Sequence, residues 1–334
     1  MQLVINQTGT NICRRAGAFE IRNTSGIHKF SPEKIDSMLI SGGVKLTADA
    51  ILLAVQHEID ILFVDYRGQP QARIWSHHYG SISTIRKQQI HFATHAEGSR
   101  WLTGLLSQRL EAAAHLLKSL RSDRPAKAEA IDGCISTLES LASRIRKEGG
   151  KLLGDAVKAR LRGWEGTASR AYFALLAQLV PEGYQFDRRS RRPAEDMFNC
   201  TLNYCYGILY GRVEIALIRA GIDPYLGVFH RDEHNRPVLV YDQIEAYRVW
   251  AEAVVLQLCF RQVLGEEMFG KKNGGLWLET LGKKVVITAM NDYLAEVVQY
   301  NHRRRSRLQH MQEDAHALAK HILSVKGAAE EKDL

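Results

Sequence analysis

Arg100-Trp101-Leu102-Thr103-Gly104-Leu105-Leu106-Ser107-Gln108-Arg109-Leu110-Glu111-Ala112-Ala113-Ala114-His115-Leu116-Leu117-Lys118-Ser119-Leu120 is the stretch that decides the architecture. Leu102, Leu105, Leu106, Leu110, Ala113 and Leu117 recur at steps of three and four with basic residues between them. That is the period of a helix with one buried face. Before residue 90 the segments are instead short, β-branched and punctuated by glycine. Leu3-Val4-Ile5, Ala18 to Arg22 and Ser37 to Ile40 predict strands. Ala48 to His57 predicts one helix with Thr47 as its N-cap. Ile61 to Asp65 predicts a buried strand, which returns through the turn Tyr66-Arg67-Gly68-Gln69-Pro70 to Ala72-Arg73-Ile74-Trp75. Downstream, helices are expected at about 127–146, 165–180, 193–220, 241–264 and 288–325, with Pro125, Pro181, Pro193, Pro224 and Pro237 at their ends. The expectation is an α+β chain. A small β-rich, β-sandwich-like domain occupies residues 1–90, and a larger all-α domain occupies 91–334.

The chain has 334 residues, 45% hydrophobic and 25% charged. Such a length buries a sizeable core without disulfide or zinc staples, and the composition excludes global disorder, collagen and coiled coil. No apolar run approaches a membrane span. The net charge of +8 favours polyanionic partners, nucleic acid before an anionic membrane surface. Five scattered cysteines without a Cys-x-x-Cys argue against a disulfide framework and a structural zinc site. The N-terminal residues carry no secretion signal, so the cytoplasm is the expected location.

Gly265 to Lys272 nearly spells a phosphate-binding loop, but Lys272 stands where a Ser or Thr hydroxyl is required. More informative is Gly221 to Arg248. His230 ends the apolar run Gly227-Val228-Phe229, and Asp242 and Glu245 stand three apart at a predicted helix start. Two carboxylates and an imidazole form a half-shell for magnesium or manganese. The competing reading is that Asp242 caps the helix and Glu245 is a solvated first-turn acid. His230 and His234 are spaced like a zinc pair, but Asp232, Asn235 and Pro237 make this a loop. Glu165, between Gly163 and Gly166, is either a carboxylate facing a close partner or a first-turn glutamate favoured by the helix dipole. Two basic runs, Arg188-Arg189-Ser190-Arg191-Arg192 and Arg303-Arg304-Arg305-Ser306-Arg307, suit DNA phosphates.

Three blocks in order resemble one family. They are Gly163-Trp164-Glu165-Gly166 with Arg170-x-Tyr172-Phe173; Arg192-Pro193-Ala194-Glu195-Asp196-Met197-Phe198-Asn199 running through Tyr206-Gly207-x-Leu209-Tyr210 to Gly221-x-Asp223-Pro224-Tyr225-Leu226-Gly227-x-x-His230; and Tyr241-Asp242-x-x-Glu245-x-Tyr247-Arg248. Phe63-Val64-Asp65-x-Arg67-Gly68 adds a match in the first domain. The set resembles the CRISPR-associated endonuclease family Cas1, the integrase of CRISPR adaptation. That resemblance implies a metal-dependent DNA endonuclease that inserts short duplexes as new spacers by 3′-hydroxyl attack on a repeat phosphodiester. It implies Mg2+ or Mn2+ on Glu165, His230 and Glu245, with Asp242 an alternative direct ligand, because some members carry aspartate at the Glu245 position. Asn199, Arg248 and the two basic runs are the implied DNA contacts. A homodimer through the β-rich domains, double-stranded DNA and the small protein Cas2 are the implied partners.

Overall fold

Backbone pairing sorts the first strands of this computed structural model into two sheets; the structure describes residues 2–64, 70–74, 82–191, 193–230, 236–272, 274–300 and 302–325. The first unit, Met1–Tyr79, contains β1 (Gln2–Ile5), β2 (Asn11–Arg15), β3 (Ala18–Asn23), β4 (Gly26–Phe30), β5 (Ser37–Ser41), β6 (Lys45–Leu46), α1 (Ala48–Gln56), β7 (Asp60–Val64) and β8 (Pro70–Ile74). One sheet runs β1-β5-β7-β8 and the other β4-β3-β2-β6. β5 and β7 are parallel and joined through α1, while β7 and β8 form the expected antiparallel pair. Thr47 caps α1, its hydroxyl accepting from the Ala50 amide at 3.3 Å. Ile12, Phe19, Met38, Ile40 and Ile61 fill the core of this unit. β2 joins β3 through Ala16 and Gly17, at φ 51° and 77°. These left-handed values suit a tight two-residue hairpin. The predicted turn from Tyr66 to Gln69 and Trp75 lie outside the described residues, as do Asp65, Arg67 and Gly68 of the resemblance.

The second unit, Gly80–Leu334, contains α2 (Ile82–Thr94), α3 (Ala96–Arg121), α4 (Ala128–Arg146), α5 (Asp155–Leu179), α6 (Met197–Arg219), α7 (Val238–Gln243), α8 (Arg248–Phe260), β9 (Phe269–Lys272), β10 (Gly275–Leu278), α9 (Thr280–Ala295), β11 (Val297–Tyr300), β12 (Arg303–Ser306) and α10 (Arg307–Ser324). The division falls earlier than the change of period near residue 90, because α2 belongs to the helical unit. Gln89 exchanges two 2.9 Å hydrogen bonds with the Asp223 backbone, and Ile85 and Phe92 lie in the helical core.

Three helical expectations need correction. The helix expected from 165 begins at Asp155. The segment 241–264 is not one helix: α7 ends at Gln243, a 3-10 turn covers Ile244–Ala246, and α8 starts at Arg248. The segment 288–325 is interrupted by the β11–β12 hairpin. β-branched Val297 and Val298 open that hairpin, and His302 sits at φ 62°, a conformation no α-helix propagates. With β9 and β10, a second hairpin interrupts the helices, so the unit is mostly helical rather than all-α. The sequence resembling a phosphate loop is a 3-10 turn leading into β9, without the strand-loop-helix geometry.

Four helices converge on one carboxylate. Glu252 of α8 is fully buried. It accepts from Arg109 Nη1 and Nη2 of α3 at 3.2 and 2.5 Å. It also accepts from the hydroxyls of Tyr172 of α5 (2.9 Å) and Tyr206 of α6 (2.6 Å). Every oxygen of the buried acid is used, so the pair escapes the penalty of an uncompensated charge. Glu252→Ala strands the Arg109 cation in the core. Urea unfolding of the helical unit should show a loss of about 3–5 kcal/mol.

Candidate active site

Glu165 and Glu245 line one pocket of about 500 Å³. Glu165 projects from the middle of α5, not from its first turn, so the helix-dipole reading fails. A Cβ built on Gly163 would meet nothing within 4 Å, but residues two apart on a helix point to different faces, so this open space does not lie beside the Glu165 carboxylate. Glu245 comes from the 3-10 turn that separates α7 from α8. That turn parts Asp242 from Glu245, which the expected continuous helix would have put on one face. Arg109, Arg189, Arg191 and Arg248 also line the pocket. Burial first, and Glu245 second, push the Glu165 carboxyl above its ordinary range, against the pull of Arg248, Arg109 and Arg191. Glu245 itself is held from both sides. Arg248 Nε donates to its Oε1 at 2.5 Å, and Arg109 Nε lies 3.9 Å from Oε2.

His230 stands at the mouth of the loop before α7, with its side chain 42% exposed. Asp242 is the reason the loop has this shape. Its Oδ2 accepts from the amides of Val228 (2.7 Å) and Phe229 (3.0 Å), and its Oδ1 from the amide of His230 (3.2 Å). The same Oδ1 lies 2.6 Å from His230 Nδ1. A carboxylate can only accept, so Nδ1 carries a proton, and in the neutral imidazole Nε2 is then the nitrogen with the free lone pair. Asp242 is not a helix cap: its side chain is fully buried, does not line the pocket and lies against the imidazole, with both oxygens taken by amides of the loop. Arg162, one turn before Glu165, ties the His230 loop to α5. It donates to the Phe229 carbonyl at 3.4 Å and covers the Phe229 ring. His230 is not among the residues lining the pocket. Among the described residues, no three His, Cys, Asp or Glu side chains form a group arranged to hold a metal. The zinc alternative with His234 falls outside the described residues.

The expected DNA contacts separate into two kinds. Arg188 is exposed beside Glu195, and Arg191 is exposed at the pocket. On β12, Arg303 and Arg305 share Glu313 at 3.1 and 3.4 Å, and Arg304 is exposed. Arg192 lies outside the described residues. Arg248 lines the pocket and is half-buried, whereas Asn199 lies in the core. Arg248 is spent on Glu245, on the Tyr210 hydroxyl at 3.2 Å and on the Tyr206 ring. Asn199 is fully buried and binds the 188–190 backbone. The residues that sequence reasoning missed are Arg109 and Glu252. Both sit on helical faces that read as ordinary amphipathic pattern, and a charge at a core position of the pattern was the only available signal.

Glu165→Gln tests the electrostatics. A raised folded-state value means the folded chain resists ionisation of this group. The penalty is absent when the pH lies below the ordinary carboxylate range and complete above the raised value. In EDTA, the variant should melt above the parent at pH 7.5, and the gain should vanish near pH 4. Asp242→Asn places an amide against three backbone N–H groups and should cost about 1–3 kcal/mol in urea unfolding.

Residues 3–292 match the family model described as CRISPR associated protein Cas1. The CRISPR-associated endonuclease Cas1 1 of Archaeoglobus fulgidus is 27% identical over 322 residues, covering 91% of each chain. Among solved structures, a casposase bound to integration product superposes with a TM-score of 0.80 at 20% identity, over 97% of this chain and 91% of that one. A Cas6-RT-Cas1–Cas2 complex gives a TM-score of 0.75 at 20% identity, over 96% of this chain and 35% of that one. At these identities the structural likeness is one of fold. Together with the family match along most of its length, it places the chain in the CRISPR-associated Cas1 family, the endonucleases and integrases of CRISPR adaptation.

Proposed function

We propose that Glu165, His230 and Glu245 hold a Mg2+ or Mn2+ ion and cut or join DNA phosphodiesters with it. The observation that carries this reading is the pair of glutamates in one pocket. Burial and Glu245 oppose ionisation of Glu165, and a divalent cation would relieve both opposing effects. The donor chemistry suits a hard ion: two carboxylates, and an imidazole whose Nδ1 is tied to Asp242 so that Nε2 would be the atom to bind it. Manganese tolerates the imidazole better than magnesium does. When bound, such an ion polarises the scissile phosphate and eases deprotonation of the attacking hydroxyl.

The chain's own residues do the rest. Arg191 and Arg188, with Arg303, Arg304 and Arg305 on β12, take DNA phosphates and give affinity without reading sequence. Arg109 and Arg248 fix the Glu245 carboxylate, so that its position is set before substrate arrives. The 3′-hydroxyl of a short duplex forms one new phosphorus–oxygen bond at the edge of a repeat. The bond to the repeat's own 3′-oxygen breaks, and that oxygen takes the proton. One diester replaces another, so the step needs no external energy source. Water in place of the 3′-hydroxyl gives nuclease activity. Spacer insertion into the CRISPR array is then the biological reaction, consistent with the casposase and Cas1–Cas2 assemblies that share this fold. A homodimer through the β-rich units and association with Cas2 complete the reading. No helix among the described residues is long and apolar enough to cross a membrane, and a cytoplasmic site of action belongs to the same proposal.

The test is joining of a 3′-hydroxyl duplex to a supercoiled plasmid bearing repeats, with cognate Cas2 present. Joining should require manganese or magnesium and stop in EDTA. Glu165→Ala and His230→Ala should each abolish joining while duplex affinity stays within a few-fold of the parent. Full activity in either variant would overturn the ligand assignment. Salt-dependent binding without joining in any metal would leave a DNA-binding protein that lacks the chemistry.

A further inference from the structure

Arg189 is the more deeply buried of two pocket arginines, with exposed Arg191, that no carboxylate holds among the described residues. Its guanidinium donates to two amide oxygens, Asn199 Oδ1 at 2.9 Å and Asn203 Oδ1 at 2.6 Å, and to the Ser190 carbonyl. It lies near the rings of Phe173 and Tyr206, 5.9 and 5.5 Å from their centroids. Among the described residues no carboxylate oxygen lies within 4 Å of it, unlike Arg109 and Arg248 in the same pocket. Glu252 is the carboxylate beyond that shell, and both its oxygens are occupied by Arg109, Tyr172 and Tyr206. Burial first, then the like charges of Arg191 and Arg248, hold the Arg189 guanidinium below its ordinary range.

A desolvated cation with only neutral acceptors is costly, and this one is held in place. Asn199 is fully buried, and all of its polar atoms are engaged: with the Arg189 guanidinium, with the Ser190 amide, with the Arg188 carbonyl at 2.9 Å, and with Asp196, whose side chain also takes the Asn199 amide at the N-cap of α6. Asn203, one turn along the same helix, holds the other end of the guanidinium and the Arg191 carbonyl at 2.7 Å. The helix start therefore forms the cradle of a single arginine facing a pocket that also contains Glu165 and Glu245.

We propose that Arg189 is a phosphate subsite inside the pocket, held ready by Asn199 and Asn203, and that one DNA backbone phosphate beside the reacting one supplies the missing anion. The inference rests on the reading of this pocket as the DNA site. It differs from a general basic surface in predicting one phosphate, at one position, and in making Asn199 and Asn203 positioning residues. The alternative is that Arg189 only fills space between Phe173 and Tyr206.

A neutral-backbone scan separates the two. A short duplex with free 3′-hydroxyls is made with a single methylphosphonate at each successive linkage near its end. Its affinity for the full chain is read by fluorescence anisotropy without metal, so that the result does not depend on catalysis. The parent should lose about tenfold or more at one linkage, the value of a charge-assisted contact. Arg189→Met, which keeps the stacked bulk, should bind unmodified DNA correspondingly weaker and show no further loss at that linkage. Its slope of log affinity against log salt should fall by about one. Asn203→Ala, which spares the buried Asn199, should reduce the loss at that linkage while Arg189 remains charged. If every linkage costs the parent and Arg189→Met equally, Arg189 touches no phosphate and the inference is overturned. If the scan succeeds while the parent joins no DNA in any metal, the enzymatic reading fails and the subsite stands.

Discussion

The helical unit depends on the burial of Glu252. Four helices, α3, α5, α6 and α8, each contribute to one hydrogen-bonded cluster around that carboxylate, and none can shift without breaking a charge-assisted bond in a low-dielectric core. The pocket is built directly above it. Tyr172, Tyr206 and Arg109 are shared between the cluster and the pocket lining. Arg109 then reaches Glu245 with its remaining nitrogen. Rigidity beneath the site and geometry within it are one structure.

Charge in the pocket is arranged in opposition rather than neutralised throughout. Glu245 is tied to Arg248 and Arg109. Glu165 is left with a carboxyl that burial and Glu245 push upward, and Arg189 is left with neutral amides. The two unsatisfied partners have opposite signs, and each calls for a ligand of the other sign: a cation at Glu165 and an anion at Arg189. Metal-assisted chemistry on a phosphodiester brings both at once. Asp242 applies the same economy to His230, using one buried carboxylate to shape a loop and to fix an imidazole tautomer.

Sequence periodicity located most of the helices and five strands of the first unit, because an amphipathic face or an alternating strand writes its burial into residue order. It failed where burial is one-sided or local. β4 is almost wholly exposed along the edge of its sheet and carries no alternation. The hairpin at 297–306 sits between two helices whose pattern reads through it. The 3-10 turn at Ile244–Ala246 leaves no compositional trace, since its residues would serve equally well in a helix.

The sequence alone determined the division into a β-rich and a helical part, the basic character of the chain, and the family, through three ordered blocks carrying Glu165, His230 and Glu245. Only the tertiary structure decided what each residue near them does. Asp242 and Glu245 differ by three positions and one methylene, yet one turns inward to the His230 loop and the other faces the pocket. Asn199 looks like a surface contact in the sequence and is a buried support in the fold, while Arg248 lines the pocket with its guanidinium already bound to Glu245. Residue type and spacing state which chemistry a chain can assemble. Which oxygen is already occupied, and which charge lacks a partner, depends on neighbours brought together from distant segments, and only the packed core supplies those.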